Sequence, residues 1–175
     1  MQRSELEHII RASGDVAQDD EIVIIGSQSI LGQFPDAPMR LLASMEADVY
    51  PNHNPELADK VDGAIGEGSS FHELHGYYAQ SVGPETAILP SGWKDRVVVV
   101  KNENTNGIAG LCLEVHDLAI SKFVAGRTKD LEFIQELIRY EMIRKDTLLT
   151  RLAGTDLQEI ELNTTRSKIE AMFSS

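Results

Sequence analysis

The stretch EIVIIGSQSILGQF, residues 21–34, decides the fold class. Residues 21–25 are mostly apolar and β-branched, which predicts a strand buried on both faces. Gly26 and Ser27 end this strand, and the residues that follow favour a helix. We expect Gly26 to supply backbone freedom at the turn and the Ser27 side chain to cap the helix. A buried strand that leads directly into a helix indicates a sheet covered by helices.

The next strand along the chain contains two acidic residues close together. It is predicted over SMEADVY, residues 44–50, and is stopped by Pro51. Residues two apart on a strand point to the same face, so the carboxylates of Glu46 and Asp48 should project together. No basic residue beside them neutralises their charge, and a divalent metal ion would do so. The alternative is that both acids form the outward face of an edge strand, where charge discourages pairing with another chain.

The segments around these strands predict helices. Ser4 and Glu7 have the spacing of a capping box, so a first helix should begin there and end near Gly14. Apolar residues four apart predict another helix over residues 57–65, which ends at glycines. Residues 69–93 show no regular pattern and receive no assignment.

The second half of the chain begins with a predicted strand pair and continues as helices. Residues 97–100 and 111–115 are rich in β-formers, and Asn106–Gly107 between them favours a tight hairpin turn. From His116 onward, apolar residues at helical spacing predict a series of helices. The predicted fold class is therefore α+β, a small mixed β-sheet flanked by helices, with a helical C-terminal half.

Length and charge limit the function classes. The chain has 175 residues, with Lys+Arg 16 against Asp+Glu 28 and a net charge of -12. We expect an α/β core at residues 1–115 and a helical portion at residues 116–175 that packs on it as a single compact unit. The negative charge argues against binding to bulk DNA or to anionic membranes. No segment has the pattern of a leader or a membrane span, so we expect a cytoplasmic protein, with Cys112 as a buried strand residue.

The two predicted strands together indicate phosphoryl transfer. Gly26 and Ser27 lie where a helix should begin, and backbone N–H groups exposed at a helix N-terminus bind phosphate. Glu46 and Asp48 on the next strand offer hard oxygen ligands, which Mg²⁺ prefers. A metal ion held against a phosphate neutralises its charge and can activate an attacking hydroxyl.

These stretches resemble the signature of the nucleotidyltransferase superfamily. IIGSQSI at residues 24–30, followed by SMEADVY at residues 44–50, is similar to a motif made of an apolar strand, Gly-Gly or Gly-Ser, a short helix and an acid-x-acid strand. DLAISKFVAGRTKDLEFI at residues 117–134 is similar to the later motifs of AbiEii-type toxins and their uncharacterised relatives. The resemblance covers residues 22–137 and implies a small mixed sheet flanked by helices.

The resemblance also implies an activity. It implies transfer of a nucleoside monophosphate from an NTP to an acceptor hydroxyl, with Mg²⁺ or Mn²⁺ as cofactor. It further implies the toxin of a toxin-antitoxin pair, which acts on tRNA or a protein and is opposed by an antitoxin protein. Carried over residue by residue, it assigns Gly26, Ser27, Lys122 and Arg127 to nucleotide binding, Glu46 and Asp48 to the metal, and Glu46, Asp48, Lys122 and Asp130 to catalysis.

Two departures from the family pattern bear on activity. Glu46 stands where the family usually has Asp, which moves the carboxylate oxygens by one methylene. Many members also carry a third carboxylate on a neighbouring strand, and the strand RVVVV at residues 96–100 contains none. Asp95, Glu103 or Glu114 could substitute. Without a third carboxylate, the alternative function is a catalytically inactive nucleotide-binding or interaction module on the same fold.

Other interpretations of the same residues remain open. Lys122, Arg127 and Asp130 could be ion pairs that tie two consecutive helices together. His72 and His75 would share a helix face and could bind zinc, but the spacing is not that of the zincin motif, and no third ligand is evident. A tRNA acceptor would need a basic face made from Lys94, Arg96, Lys101, Lys122, Arg127 and Lys129.

Overall fold

The computed structural model describes residues 1–174. The chain forms two compact units that are not continuous in sequence. The first unit contains Met1–Thr86 and Val97–Leu113, and the second contains Ala87–Arg96 and the chain from Glu114 onward.

The first unit is built on a five-stranded mixed sheet, which confirms the predicted fold class. Its strands are β1 (Glu21–Ile24), β2 (Glu46–Pro51), β3 (Tyr78–Ser81), β4 (Val98–Val100) and β5 (Ala109–Cys112), in the spatial order β3-β2-β1-β5-β4. The central strand β1 runs antiparallel to β2 and parallel to β5. At the two edges, β3 pairs in parallel with β2, and β4 pairs antiparallel with β5.

The strand register defines two ends of this sheet. Ile24 pairs with Val49 and with Cys112, so the turn at Gly26 lies at the end where β2 begins. We call this the Gly26 end. At the other end, Glu21 pairs with Ala109, and β1 begins just after Asp19. We call this the Asp19 end.

Four helices belong to the first unit: α1 (Arg3–Ala17), α2 (Ile30–Gln33), α3 (Ala58–Ile65) and α4 (Ser70–His75). The core face of α1 includes Leu6, Ile9 and Ile10, all fully buried. A side chain at Gly110 on β5 would collide with Ile10, so glycine lets α1 pack closely on the sheet.

The predicted capping box at Ser4 and Glu7 is wrong. Helix α1 begins two residues earlier, with Gln2 rather than Ser4 as its N-cap, and Glu5 accepts the Gln2 backbone N–H at 2.6 Å. The Glu7 side chain instead bonds to Arg3 at 3.0 Å. It also accepts the amide groups of two asparagines in the connection between β4 and β5, at 2.8 and 2.7 Å. Longer-range polar partners therefore outweigh the local capping pattern.

The later strand pair forms as predicted, with different limits. β4 and β5 are antiparallel, but β5 ends at Cys112, and Val115 begins a helix because the Glu114 side chain accepts the His116 N–H at 3.1 Å. Asn106 and Gly107 have the positive φ angles, 52 and 77°, that such a turn requires. The connection nevertheless spans residues 101–108 rather than a two-residue hairpin.

The second unit is helical, as predicted for the later part of the chain. Its helices are α5 (Val115–Ala125), α6 (Thr128–Arg139), α7 (Lys145–Ala153) and α8 (Glu159–Met172). Helix α5 is buried along most of its length and packs against the other three. Gly126, with φ 63°, ends it. Of the helices in residues 1–174, none combines the length and the apolar character that crossing a membrane requires.

Candidate functional site

The two acids of β2 point to one face, as the strand periodicity predicts. Glu46 and Asp48 are partly exposed, whereas Ala47 and Val49 between and after them are buried. The edge-strand interpretation is wrong, because β2 lies between β3 and β1 and pairs with both. Protection against pairing with another chain therefore cannot explain these two charges.

Gly26 lies directly against the Asp48 side chain. A Cβ at this position would be 2.7 Å from Cγ and 2.9 Å from Cβ of Asp48, closer than carbon atoms can approach. The backbone N–H of Ile25 donates to the carbonyl of Asp48 at 3.1 Å, which holds the two segments together. Gly26 has φ −84°, so glycine is required here by space and not by the backbone freedom that we expected.

Ser27 does not cap a helix, which corrects the sequence interpretation. Gly26 is the N-cap of a 3-10 turn over Ser27–Ser29, and no side chain caps it. The α-helix that follows, α2, has only four residues. A long helix dipole is therefore absent at this turn, and a phosphate would rely on backbone N–H groups and the Ser27 hydroxyl, which is partly exposed.

Gln28 and Ser29, the next two residues of the turn, are buried polar residues. Gln28 is 1% exposed and Ser29 0%. Within residues 1–174, neither end of the Gln28 amide nor the Ser29 hydroxyl has a hydrogen-bond partner. Such burial costs about 1–3 kcal/mol per unsatisfied group, and sequence periodicity gave no sign of it. The turn beside Asp48 is thus held at a cost in stability.

Glu46 is hydrogen-bonded to a residue that the sequence interpretation missed. The Tyr78 hydroxyl donates to Oε2 of Glu46 at 3.0 Å. Burial, together with the hydrogen bond to Glu46 and the charge of Glu46, raises the pKa of Tyr78 to about 12, so the phenol stays protonated as a donor. Tyr78 lies in the stretch FHELHGYY, where the aromatic residues gave no periodic signal.

The Gly26 end of the sheet fits a hard divalent cation. Its two acids offer carboxylate oxygens on one face, and the Asp48 carboxylate lies directly against the Gly26 backbone at the turn. Mg²⁺ and Mn²⁺ prefer such oxygen ligands and are commonly held by one or two carboxylates together with substrate phosphates. The donor set therefore suits the metal that the sequence predicts.

The three candidates for a third carboxylate have different positions. Glu103 is exposed on the connection between β4 and β5, at the Asp19 end, so the structure rules it out as a partner of Glu46 and Asp48. Asp95 is exposed on a 3-10 turn of the second unit. Glu114 caps α5 and bonds to Nδ1 of His116 at 2.7 Å. Burial would raise the pKa of Glu114, but the bonds and charges of His116 and Arg151 hold it below its ordinary value.

The later motif forms a buried ion-pair group in the second unit. The Lys122 ammonium lies 3.2 Å from Oδ1 of Asp130, and Arg127 Nε lies 2.7 Å from Oδ2. Asp130 is 0% exposed and Lys122 only 9%. Burial would raise the pKa of Asp130, but Arg127 and Lys122 outweigh it and hold the pKa below its ordinary value. The ion pairs that tie α5 to α6, which the sequence offered as an alternative to a catalytic role, are therefore present.

A second group of possible metal ligands lies at the Asp19 end. Ligand atoms of Asp19, Asp20 and His53 all lie within 4.8 Å of one another. Asp19 is already occupied, however: it accepts the backbone N–H groups of Glu21 at 3.0 Å, His53 at 2.8 Å and Asn54 at 3.0 Å, and the His53 ring at 2.8 Å. The sequence interpretation missed this group because it considered as metal ligands only residues from the strand at Glu21 onward, just after Asp19 and Asp20.

The two histidines of α4 do not form a metal pair. The His72 ring packs at a tilt of 50° against Tyr78, with ring centroids 4.6 Å apart, and accepts the Gly68 N–H at 3.0 Å. His75 instead packs against His8, Phe71 and Tyr77. Across residues 1–174, the groups close enough to share a metal ion include neither histidine. The zinc hypothesis therefore has no support in the structure.

The comparison with protein families supports the predicted superfamily. A family model described as "Nucleotidyltransferase of unknown function (DUF6036)" matches residues 4–173. The match covers nearly the whole chain, and the chain belongs to this family. Comparisons with curated proteins and with solved structures gave no significant match. The predicted nucleotidyltransferase membership is confirmed, and it supports a general role in nucleotidyl transfer.

Proposed function

From this family membership, we propose that the protein transfers a nucleoside monophosphate from an NTP to an acceptor hydroxyl, with Mg²⁺ or Mn²⁺ held by Glu46 and Asp48. The observation that carries the proposal is the contact between Gly26 and Asp48. It brings the candidate phosphate-binding turn and one candidate metal ligand together without an intervening side chain. In nucleotidyl transfer, the metal ion and the phosphates must be neighbours.

The residues of the Gly26 end have distinct proposed roles. Backbone N–H groups at Gly26 and Ser27, with the Ser27 hydroxyl, hold the triphosphate. Glu46 and Asp48 provide the carboxylate oxygens for the metal. When bound, the metal ion neutralises phosphate charge and lowers the pKa of a coordinated hydroxyl. The neighbouring backbone and carboxylates fix the positions of the reacting groups, which is the main protein contribution in phosphoryl transfer.

In the second unit, Lys122 and Arg127 are the proposed nucleotide-binding residues. Asp130 accepts hydrogen bonds from both, so it is the group that orients them. The Asp130 carboxylate holds the Lys122 ammonium 3.2 Å from Oδ1, and an ammonium fixed in this way is a donor for a phosphate contact. Lys122→Gln should therefore weaken NTP binding, as measured by calorimetry.

The acceptor is proposed to be a protein hydroxyl rather than tRNA. Of the six basic residues that a tRNA-binding face would need, Arg96 bonds to the buried Asp117 at 2.8 Å, and Lys122 and Arg127 bond to Asp130. Their charge is largely compensated within the chain, and the net charge is -12. A toxin that modifies a protein target and is opposed by an antitoxin protein fits this charge better than an RNA-modifying one.

An inactive nucleotide-binding module on the same fold is the alternative. Two observations favour it: Glu103 lies at the opposite end of the sheet, and Glu114 is engaged as a helix cap. A site with two carboxylates can bind one metal ion and a nucleotide without supporting a second ion. The discriminating result is Mg²⁺-dependent NTP binding with no transfer product.

Label transfer from NTP tests the proposal. Purified protein is incubated with Mg²⁺ and each radiolabelled NTP, with bulk tRNA or with cell lysate, alongside the variant Glu46→Ala plus Asp48→Ala. We expect label on one acceptor with wild type and none with this variant. The matched control is Glu56→Ala plus Asp59→Ala, which removes the same charge from exposed positions.

The outcomes separate the two functions. Label that persists in the Glu46/Asp48 variant contradicts the metal assignment. Mg²⁺-dependent NTP binding by calorimetry, without label on any acceptor, supports the inactive module instead. Circular dichroism of each variant checks that the fold survives.

A further inference from the structure

Glu46 presents a positioning problem at the proposed metal site. A glutamate has one more rotatable bond than an aspartate, so its carboxylate samples more positions and loses more entropy when it binds a metal ion. Asp48 is restrained by contact with Gly26, but that contact does not extend to Glu46. A second residue is needed to restrict the longer side chain.

The strand register brings one residue into place for this. Glu46 on β2 and Tyr78 on β3 are Cα partners in the parallel pair, so the two side chains leave neighbouring strands side by side. The Tyr78 hydroxyl lies 3.0 Å from Oε2 of Glu46. It occupies one carboxylate oxygen, and a carboxylate can accept a hydrogen bond on one oxygen while it binds a metal ion through the other.

Tyr78 is itself held in place. It is 8% exposed, its backbone N–H donates to the carbonyl of Met45 at 3.1 Å, and the tilted ring of His72 packs against its ring with centroids 4.6 Å apart. His72 in turn is positioned by the cap of α4, where the Ser69 hydroxyl accepts its N–H at 3.2 Å. The hydroxyl of Tyr78 is therefore a fixed donor rather than a mobile surface group.

We propose that Tyr78 is a positioning residue that orients the Glu46 carboxylate for metal binding. This inference rests on the proposed function, since it takes Glu46 as a metal ligand. Hydrogen bonds to metal-ligating groups commonly change metal affinity by 10–100-fold when they are removed. The bond from Tyr78 thus restricts the extra rotatable bond that glutamate introduces.

The test is direct Mn²⁺ binding, measured by the electron paramagnetic resonance signal of free Mn²⁺. Tyr78→Phe removes only the hydroxyl and keeps the buried ring. We expect the Mn²⁺ dissociation constant to rise about 10-fold, with the thermal midpoint little changed. The matched control is Tyr77→Phe, because the Tyr77 hydroxyl bonds to His8 at 2.8 Å and not to an acid of β2. This control should bind Mn²⁺ as wild type does.

A double-mutant cycle with Glu46→Asp gives the specific readout. Aspartate is one methylene shorter and cannot keep the hydrogen bond with Tyr78, so Tyr78→Phe should change Mn²⁺ affinity little in the Glu46→Asp background. A merely structural role for the hydroxyl would instead produce the same loss in both backgrounds.

The results distinguish failure of this inference from failure of the proposed function. Unchanged Mn²⁺ affinity in Tyr78→Phe, with binding lost in the Glu46/Asp48 double variant, overturns the inference and leaves the metal site intact. An equal loss of Mn²⁺ affinity from Tyr78→Phe in the wild-type and Glu46→Asp backgrounds also overturns it. Mn²⁺ binding that is unaffected by the Glu46/Asp48 double variant overturns the proposed function, and the role of Tyr78 with it.

Discussion

The sheet carries acidic residues at both ends, and the two ends differ in how the chain itself uses them. At the Asp19 end, the Asp19 carboxylate accepts three backbone N–H groups and the His53 ring, and its side chain is 0% exposed. At the Gly26 end, Glu46 is partly exposed, and within residues 1–174 one donor, the Tyr78 hydroxyl, bonds to its carboxylate.

This difference separates a structural acid from a candidate ligand. Asp19 joins the start of β1 to the segment after β2, so its carboxylate oxygens are already engaged in hydrogen bonds that hold that end of the sheet together. Burial would raise the pKa of Asp19, but the hydrogen bond from His53 and the three backbone bonds outweigh it and hold the pKa below its ordinary value. An acid with fewer internal donors keeps oxygen lone pairs available for a metal ion.

The two ends also differ in unsatisfied polar groups. The turn after Gly26 buries the Gln28 amide and the Ser29 hydroxyl without hydrogen-bond partners in residues 1–174, whereas Asp19 at the opposite end is fully bonded. Functional sites are where proteins commonly depart from the most stable local arrangement. The turn after Gly26 shows that departure, whereas the Asp19 carboxylate is fully bonded.

Among single substitutions that compare the two ends of the sheet, Gly26→Ala has the largest expected effect. The new methyl group would collide with the Asp48 side chain and displace it, and a displacement of about 1 Å at a reacting centre costs about 100-fold in rate. We expect nucleotidyl transfer to fall by about that factor, measured as kcat/KM for the NTP. The control is Gly63→Ala in α3, where no atom lies within 4 Å of the added Cβ. Normal transfer by Gly26→Ala would show that the turn and Asp48 do not act together.

A smaller effect, on stability alone, is expected from Asp19→Ala. Three backbone N–H groups would lose a charged acceptor, so the free energy of unfolding should fall by about 2–4 kcal/mol. Denaturant unfolding measures this loss. Transfer per folded molecule should be retained, and Asp20→Ala, whose side chain is 84% exposed, should change stability by no more than about 0.5 kcal/mol. Loss of transfer in Asp19→Ala at full stability would place function at this end.

The smallest effect is a pH dependence of stability at the Asp19 end. The hydrogen bond to Asp19 raises the pKa of His53, against a smaller opposing effect of burial. A raised pKa means that the stabilisation is complete below the ordinary histidine value of about 6.5 and is lost as pH rises through the folded-state value. Wild type should therefore lose slightly more stability than His53→Gln between pH 6 and pH 8, as measured by thermal unfolding. The same dependence of stability on pH in both proteins would contradict a stabilising contact between His53 and Asp19.

Much of the fold was predictable because its elements have strong local signals. The buried run before Gly26 and the apolar spacing after His116 predicted β1 and the helices of the second unit correctly. Strand β3 was missed, because YAQS is short, lies at an edge and shows no alternation. The start of α1 was also wrong, since a pattern at Ser4 and Glu7 cannot reveal that Glu7 bonds to residues far along the chain.

The candidate site was predictable only in part, because local sequence patterns do not reveal contacts between distant segments. The spacing of Glu46 and Asp48 predicted their shared face, but the contact of Asp48 with Gly26 and the bond from Tyr78 depend on strand register. Register is set by pairing between distant segments, and no local pattern around Tyr78 encodes it. The roles of Lys122, Arg127 and Asp130 in catalysis stay predictions.

The order in which the chain is synthesised matters for the central strand. β1 lies between β2 and β5, yet β5 ends only at Cys112 and comes after residues 87–96, which belong to the other unit. A nascent chain that has left the ribosome as far as β3 has β1 as an open edge, with its hydrogen-bonding groups exposed on one side. The sheet of the first unit can therefore be completed only late in translation. Because each unit contains two separate segments of the chain, no single proteolytic cut divides the chain into its two units.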